Sequence, residues 1–116
     1  MASEKPQITR QTAAVLNAML EAPSAEWYGL ELAKRAKLKS GTIYPLLARL
    51  ERLGWLESTW EETDPSEEGR PRRRLYTLTG AGELAAREAL TEMFEQIAPA
   101  AARGTAWGLK PGRQPT

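Results

Sequence analysis

Large hydrophobic residues between positions 40 and 54 recur every three or four residues, which is the period of a helix with one buried face. They are Ile43, Leu46, Leu47, Leu50 and Leu53. The opposite face is small near its beginning and is flanked by Tyr44 and Arg49. Because such a helix can lie close to another surface, we interpret residues 40–54 as a recognition helix that enters a DNA groove.

The start of this helix has two interpretations. If Ser40 is the N-cap, Pro45 lies inside the helix, where a proline costs about 3 kcal/mol. If Thr42 is the N-cap, Pro45 falls in the first turn, where its missing N–H would have no partner in any case. Both interpretations place the Ser40, Thr42 and Tyr44 hydroxyls near the N-terminus, where free N–H groups and the helix dipole favour a phosphate.

Hydrophobic periodicity predicts the other elements in chain order. Two helices precede the recognition helix, and the second is joined to it by a tight turn, as in a helix-turn-helix. Two alternating segments then predict a β-hairpin with a long polar loop, and Thr79 is a good N-cap for a last helix. The predicted bounds are 9–21, 29–36 and 80–97 for the helices and 55–62 and 73–78 for the strands.

This order of elements predicts a winged helix-turn-helix, mainly α with a small β-hairpin, in the α+β class. We expect residues 1–78 to form a DNA-binding head and residues 79–98 to form a dimerisation helix. Residues 99–116 are small, basic and rich in glycine and proline, so we expect a weakly ordered tail there.

The composition argues against an enzyme. The chain has 116 residues, no cysteine, no histidine and a single aspartate, Asp64. Common acid–base and nucleophilic schemes and most metal sites need those residue types, so we predict no catalytic residue, no metal ligand and no cofactor. No segment approaches the roughly 18 apolar residues of a membrane span and the N-terminus has no apolar signal core, so we expect a cytoplasmic protein without a membrane partner.

Charge is distributed unevenly along the chain. Residues 28–60 carry six basic residues against three glutamates, a net charge of +3, and residues 70–74 add four arginines without an acid. Residues 79–98 carry four glutamates against one arginine, a net charge of −3. The positive charge thus accompanies the recognition helix and the hairpin, which favours a polyanionic partner such as double-stranded DNA.

The arginine run in residues 70–74 has two interpretations. Acidic residues of the same hairpin could neutralise it and leave a solvated loop. Alternatively, Pro71 and the following strand hold the arginines at the edge of the wing, where they reach phosphates or a minor groove. We favour the second.

The last helix also has two interpretations. Its apolar stripe could cover the core of its own chain, or it could pair with a second subunit. The head already has enough apolar residues to close a core, so we favour a dimer contact near the far end of the helix, through Leu90, Met93, Phe94 and Ile97. A twofold dimer would present two recognition helices about 34 Å apart, one turn of DNA.

Several sequence blocks resemble the PadR family of bacterial transcription regulators over about residues 9–95. They are Tyr28-Gly29-Leu30-Glu31-Leu32-Ala33, Ser40-Gly41-Thr42-Ile43-Tyr44-Pro45-Leu46-Leu47, Arg49-Leu50-Glu51, Gly54-Trp55-Leu56, Gly69-Arg70-Pro71-Arg72, and Tyr76-Thr77-Leu78-Thr79 with Gly82. The resemblance implies a homodimeric repressor that binds a palindromic operator and is joined through its terminal helices. It also implies that Val15 and Met19 of the first helix join the dimer interface.

The same resemblance implies which residues meet DNA. On the recognition helix they are Ser40, Gly41, Thr42, Tyr44 and Pro45, and on the wing they are Arg70, Arg72 and Arg73, with Lys39 and Arg49 on the backbone. Some short family members admit flat aromatic ligands at the dimer interface. A small-molecule effector is compatible with that resemblance, but no residue of this chain indicates one.

The favoured hypothesis is therefore a sequence-specific DNA-binding regulator, a repressor acting as a homodimer. The competing hypothesis is a winged helix used as a protein-interaction module without sequence-specific DNA binding. The basic wing and the small exposed ridge of Gly41, Pro45 and Ala48 argue against it.

Overall fold

A computed structural model of the chain describes residues 8–62 and 64–106. Its elements in order are helix α1 (Arg10–Leu20), strand β1 (Trp27–Tyr28), helices α2 (Gly29–Ala36) and α3 (Ser40–Arg52), strand β2 (Leu56–Trp60), helix α4 (Pro65–Glu68), strand β3 (Arg74–Leu78) and helix α5 (Gly80–Ala106). This order confirms the predicted winged helix-turn-helix, with α3 as the recognition helix.

The core lies between the first three helices, the sheet and the beginning of α5. Its largest side chains, which are almost fully buried, are Val15, Leu16, Met19, Leu32, Ile43, Leu47, Leu50 and Leu56. Of the predicted stripe on α3, Leu46 is only partly buried and Leu53 is 40% exposed. The buried part of the stripe anchors α3 by its inner face and leaves its outer face free.

The sheet has three antiparallel strands in the order β1-β3-β2, one more than the hairpin that the sequence predicts. The additional strand β1 has two residues and pairs Trp27 with Tyr76 and Tyr28 with Leu75. A segment this short carries no alternating pattern, because its extended form depends on the pairing with β3. The pairing places the start of α2 beside the hairpin.

The recognition helix begins at Ser40, with Lys39 as its N-cap. Lys39 makes no side-chain capping bond, and its carbonyl accepts hydrogen bonds from the N–H groups of Thr42 and Ile43 at 2.9 and 3.0 Å. Neither Ser40 nor Thr42 is therefore the cap, and Pro45 lies inside the helix. The α3 helix ends just before Gly54, whose φ of 81° is the left-handed conformation that glycine favours.

The last helix begins as predicted and ends later. Thr79 caps it by accepting the N–H of Gly82 at 2.8 Å, which confirms the predicted N-cap. The helix continues through Pro99 to Ala106, so the prediction that it ends before residue 99 is wrong. A proline costs about 3 kcal/mol inside a helix, but Ala98 and the alanines at 100–102 are strong helix formers. Residues 107–116 of the predicted tail lie outside the described residues.

Within the described ranges, no helix combines the length and the apolar character that crossing a membrane requires.

Candidate nucleic-acid interface

The face that the sequence assigns to DNA runs along α3 from its N-cap Lys39 to Arg49. Of the residues assigned there, Thr42 is half-buried and the others are exposed, namely Lys39, Ser40, Gly41, Tyr44, Pro45 and Arg49. The proline supplies no N–H for the Gly41 carbonyl, which therefore lacks the helical hydrogen bond that any other residue at position 45 would give it. The outer edge of the helix is thus small, polar and accessible.

Tyr44 of this edge lies beside the wing, by which we mean β2, β3 and the described residues that connect them, 61–62 and 64–73. A depression of about 230 Å³ separates the recognition helix from the wing. It is lined by Tyr28, Gly29, Leu30, Tyr44, Arg72, Arg73 and Arg74, and we call it the wing groove. Three of its residues are arginines and none is acidic, so the groove is suited to a phosphate backbone.

The sequence predicts only part of the wing groove. Tyr44, Arg72 and Arg73 belong to the predicted site, whereas Tyr28, Leu30 and Arg74 do not. Strand β1 brings Tyr28 to the wing by pairing with β3, and this pairing has no signal in the hydrophobic pattern. No local sequence signal marks Tyr28, because it reaches the wing only through this pairing and through its hydroxyl bond to Glu61.

Two wing arginines are held over aromatic rings. The Arg73 guanidinium lies 4.2 Å from the centroid of the Tyr28 ring, and that of Arg74 lies 4.9 Å from the centroid of Trp60. Arg74 Nε also donates a hydrogen bond to Ser58 Oγ at 2.9 Å. These contacts orient both planar cations before any partner arrives, which reduces the entropy lost on binding.

Arg70 contacts a carboxylate, and the Nε of Arg73 lies 3.9 Å from the same carboxylate oxygen. Arg70 Nη1 donates to Oε1 of Glu61 at 2.5 Å, and Glu61 is 6% exposed at the base of the wing. The pKa of Glu61 is lowered to about 2, chiefly by the hydrogen bond from Arg70 and further by those from Tyr28 and the Arg73 N–H, which together outweigh the opposing effect of burial. The Arg70 side chain is still 32% exposed. A contact between Arg70 and DNA therefore stays a prediction, to which the structure adds the ion pair with Glu61.

The residues predicted for the dimer interface fall into two groups. Val15 and Met19 are 0% and 1% exposed within a single chain, so they are core residues and present no surface to a partner. On α5, Leu90 and Met93 are half-buried, whereas Phe94 and Ile97 are 68% and 55% exposed.

Among the described residues, no group of three or more histidines, cysteines, aspartates or glutamates could hold a metal ion.

Comparisons with known proteins agree with this geometry. A family model described as the transcriptional regulator PadR-like family matches residues 15–88. A PadR-like transcription factor from Bacteroides fragilis is 28% identical over 81% of this chain and 91% of its own, with a TM-score of 0.59. The protein smu.1704 from Streptococcus mutans UA159 is 25% identical over 97% of this chain and 99% of its own, with a TM-score of 0.57.

A third solved structure is the PcaV transcriptional regulator from Streptomyces coelicolor. It is 28% identical over 84% of this chain, with a TM-score of 0.62, and the match spans 68% of that longer chain. A sequence search of curated proteins finds no match.

Proposed function

The chain belongs to the PadR-like family of transcriptional regulators and is a DNA-binding transcriptional regulator, and we propose that it is a repressor that binds a palindromic operator as a homodimer. The observation that supports contact with a DNA duplex is the wing groove, which Tyr44 of the recognition helix lines together with Arg72, Arg73 and Arg74 of the wing. A regulator of this kind would act in the bacterial cytoplasm, where the chromosome lies.

The recognition helix would read sequence through its first turns. With 13 residues at about 1.5 Å each, α3 is about 20 Å long and fits a major groove. Gly41 and Pro45 allow its backbone to approach the bases closely, while Thr42 and Tyr44 supply hydroxyls to base edges or phosphates. Lys39 and Arg49 would contact the backbone on either side of this edge.

The wing would fix the register of the helix on DNA. Arg72 and Arg73 are exposed on the returning side of the wing, and Arg73 is already oriented by Tyr28. Contacts from such arginines to phosphates add affinity on any sequence, whereas the recognition helix selects among sequences. The wing would therefore contribute mainly affinity, and the recognition helix would contribute most of the specificity.

Dimerisation is supported by the distribution of apolar residues along α5. Ala86 is fully buried in the core of the head, and Leu90, Met93 and Ile97 follow it at spacings of three or four residues. The same helix face therefore continues beyond the core, where its own chain covers Leu90 and Met93 only partly and leaves Ile97 exposed. Together with Phe94, this exposed continuation is a surface that a second copy of α5 would bury.

A gel shift with the DNA upstream of the protein's own gene tests the proposal. We expect a discrete complex that survives competition by random duplex and carries two protein chains per duplex. Absence of any shift at low salt would contradict DNA binding and favour a protein-interaction role. A complex with a single chain would contradict the homodimer.

A further inference from the structure

Glu61 is the only buried charged residue in the described part of the chain. Its carboxylate accepts hydrogen bonds from the Tyr28 hydroxyl at 2.8 Å and from the Arg73 backbone N–H at 3.0 Å, besides the bond from Arg70. A buried carboxylate is costly unless it is paired and hydrogen-bonded, and this one is both.

These bonds connect three separate parts of the chain. Tyr28 is the N-cap of α2, Glu61 directly follows β2, and Arg70 and Arg73 belong to the returning side of the wing. The N–H of Glu61 also donates to the Arg73 carbonyl at 2.9 Å. Residues 61 and 73 thus extend the β2–β3 ladder by one pair, with a side-chain carboxylate accepting the Arg73 N–H in place of a carbonyl.

The partners of Glu61 belong to the DNA-facing surface. Tyr28 and Arg73 line the wing groove with Tyr44, and Arg73 lies over the Tyr28 ring. Arg72 lies between the two anchored residues Arg70 and Arg73, so its place in the groove depends on the same contacts. A substitution at Glu61 would therefore displace these groups, although Glu61 itself would not contact DNA.

We propose that Glu61 is a positioning residue for DNA binding, which fixes the wing against the start of α2 and holds Arg72 and Arg73 beside Tyr44. The proposal rests on the proposed function, since it concerns how the DNA-binding surface is assembled. It predicts a direction for the change in DNA affinity that differs from the one charge alone would give. Removing a negative charge from a surface that binds a polyanion should by simple electrostatics strengthen binding, whereas removing a positioning carboxylate should weaken it.

The test compares Glu61→Gln with Glu62→Gln, a matched loss of one carboxylate at the exposed neighbouring residue. The probes are a labelled random-sequence duplex of about three helical turns and the DNA upstream of the protein's own gene. The readouts are the dissociation constant across a series of salt concentrations and the melting temperature of the free protein.

For Glu61→Gln we expect roughly tenfold weaker binding to both duplexes. We also expect the slope of log affinity against log salt to fall by about 1, because a wing phosphate contact is lost. Glu62→Gln should bind as tightly as the wild type or slightly more tightly, with the same slope. If the substitution only lowers stability, the molecules that remain folded should show the same dependence of log affinity on log salt as the wild type. The salt slope therefore distinguishes a positioning role of Glu61 from a role in folding.

Tyr28→Phe provides a second variant should Glu61→Gln fail to fold. It removes one hydrogen bond to the carboxylate and keeps the ring beneath Arg73, so we expect a smaller loss of affinity in the same direction. If both variants bind DNA at least as tightly as the wild type, with an unchanged salt slope, Glu61 has no positioning role, while the proposed function still stands. If the wild-type protein binds neither duplex, the proposed function and this inference both fail.

Discussion

The ring of Tyr44 lies against Gly29, so the recognition helix meets the first turn of α2 where residue 29 has no side chain. A Cβ atom at position 29 would lie 2.6 Å from Cε1 of Tyr44, closer than any real contact of this kind. Gly29 is therefore required for the orientation in which Tyr44 reaches the wing groove.

Gly29→Ala should displace Tyr44 without unfolding the protein. Tyr44 is 43% exposed, so its ring can turn away from the added methyl group at little cost to stability. We expect the ratio of operator to random-duplex affinity to fall about tenfold, as for Tyr44→Ala, since a base contact is worth about 1–3 kcal/mol. Competition binding assays measure this ratio. An operator preference equal to that of the wild type would show that the position of Tyr44 against Gly29 is not used in reading DNA.

Arg72→Ala should weaken binding to all sequences alike. If Arg72 contacts one phosphate, the slope of log affinity against log salt falls by about 0.9. Arg87→Ala is the matched control, because Arg87 lies on α5 and pairs with Glu83 at 2.9 Å. Fluorescence anisotropy across a salt series provides the measurement, and equal slopes for Arg72→Ala and wild type would remove Arg72 from the interface.

Gly82→Ala should destabilise the head strongly. A Cβ at Gly82 would lie 1.9 Å from the Trp55 carbonyl oxygen, which already accepts the Thr79 N–H at 3.0 Å. Because the obstacle is hydrogen-bonded backbone, we expect a loss of about 3 kcal/mol in the free energy of unfolding.

Gly80→Ala is the control for this prediction, since a Cβ at Gly80 meets nothing within 4 Å. Urea denaturation should show the loss for Gly82→Ala only. Equal midpoints for the two variants would mean that Gly82 does not pack against the Trp55 carbonyl.

Phe94→Asp should separate the proposed dimer. Burying a phenylalanine is worth about 1.5–3 kcal/mol, so a charge in its place should weaken the dimer by at least tenfold. Leu84→Asp is the control, because Leu84 is 74% exposed and lies about 160° around α5 from Ala86. Analytical ultracentrifugation gives both dimer constants. A Phe94→Asp protein as dimeric as the wild type would place the interface elsewhere.

Local patterns predicted most of the fold. The recognition helix, the hairpin and the Thr79 cap depend on periodicity and capping chemistry that a short segment carries by itself. Strand β1 was missed because two residues become a strand only through their pairing with β3. The end of α5 is predicted too early, because the prediction considers Pro99 and not the high helix propensity of the alanines around it.

The candidate site was predicted less completely, because its chemistry depends on contacts between distant residues. Tyr44 and Arg72 are exposed. The helix periodicity predicts this for Tyr44, and the arginine run predicts it for Arg72. The sequence allows an acidic residue of the hairpin to pair with its arginines, but only the fold shows Glu61 buried and bonded to Tyr28, which is 33 residues away from it in sequence. Val15 and Met19 were assigned to a dimer interface by family resemblance, and packing places them in the core.

In the proposed complex, two copies of this chain read a palindromic operator through Tyr44 and the surrounding recognition-helix residues. Selection of bound duplexes from a random-sequence pool measures which sequence they read. We expect a palindromic consensus whose half-sites are about 10 base pairs apart from centre to centre. An asymmetric consensus, or a pool that shows no enrichment after repeated selection, would rule out this mode of binding.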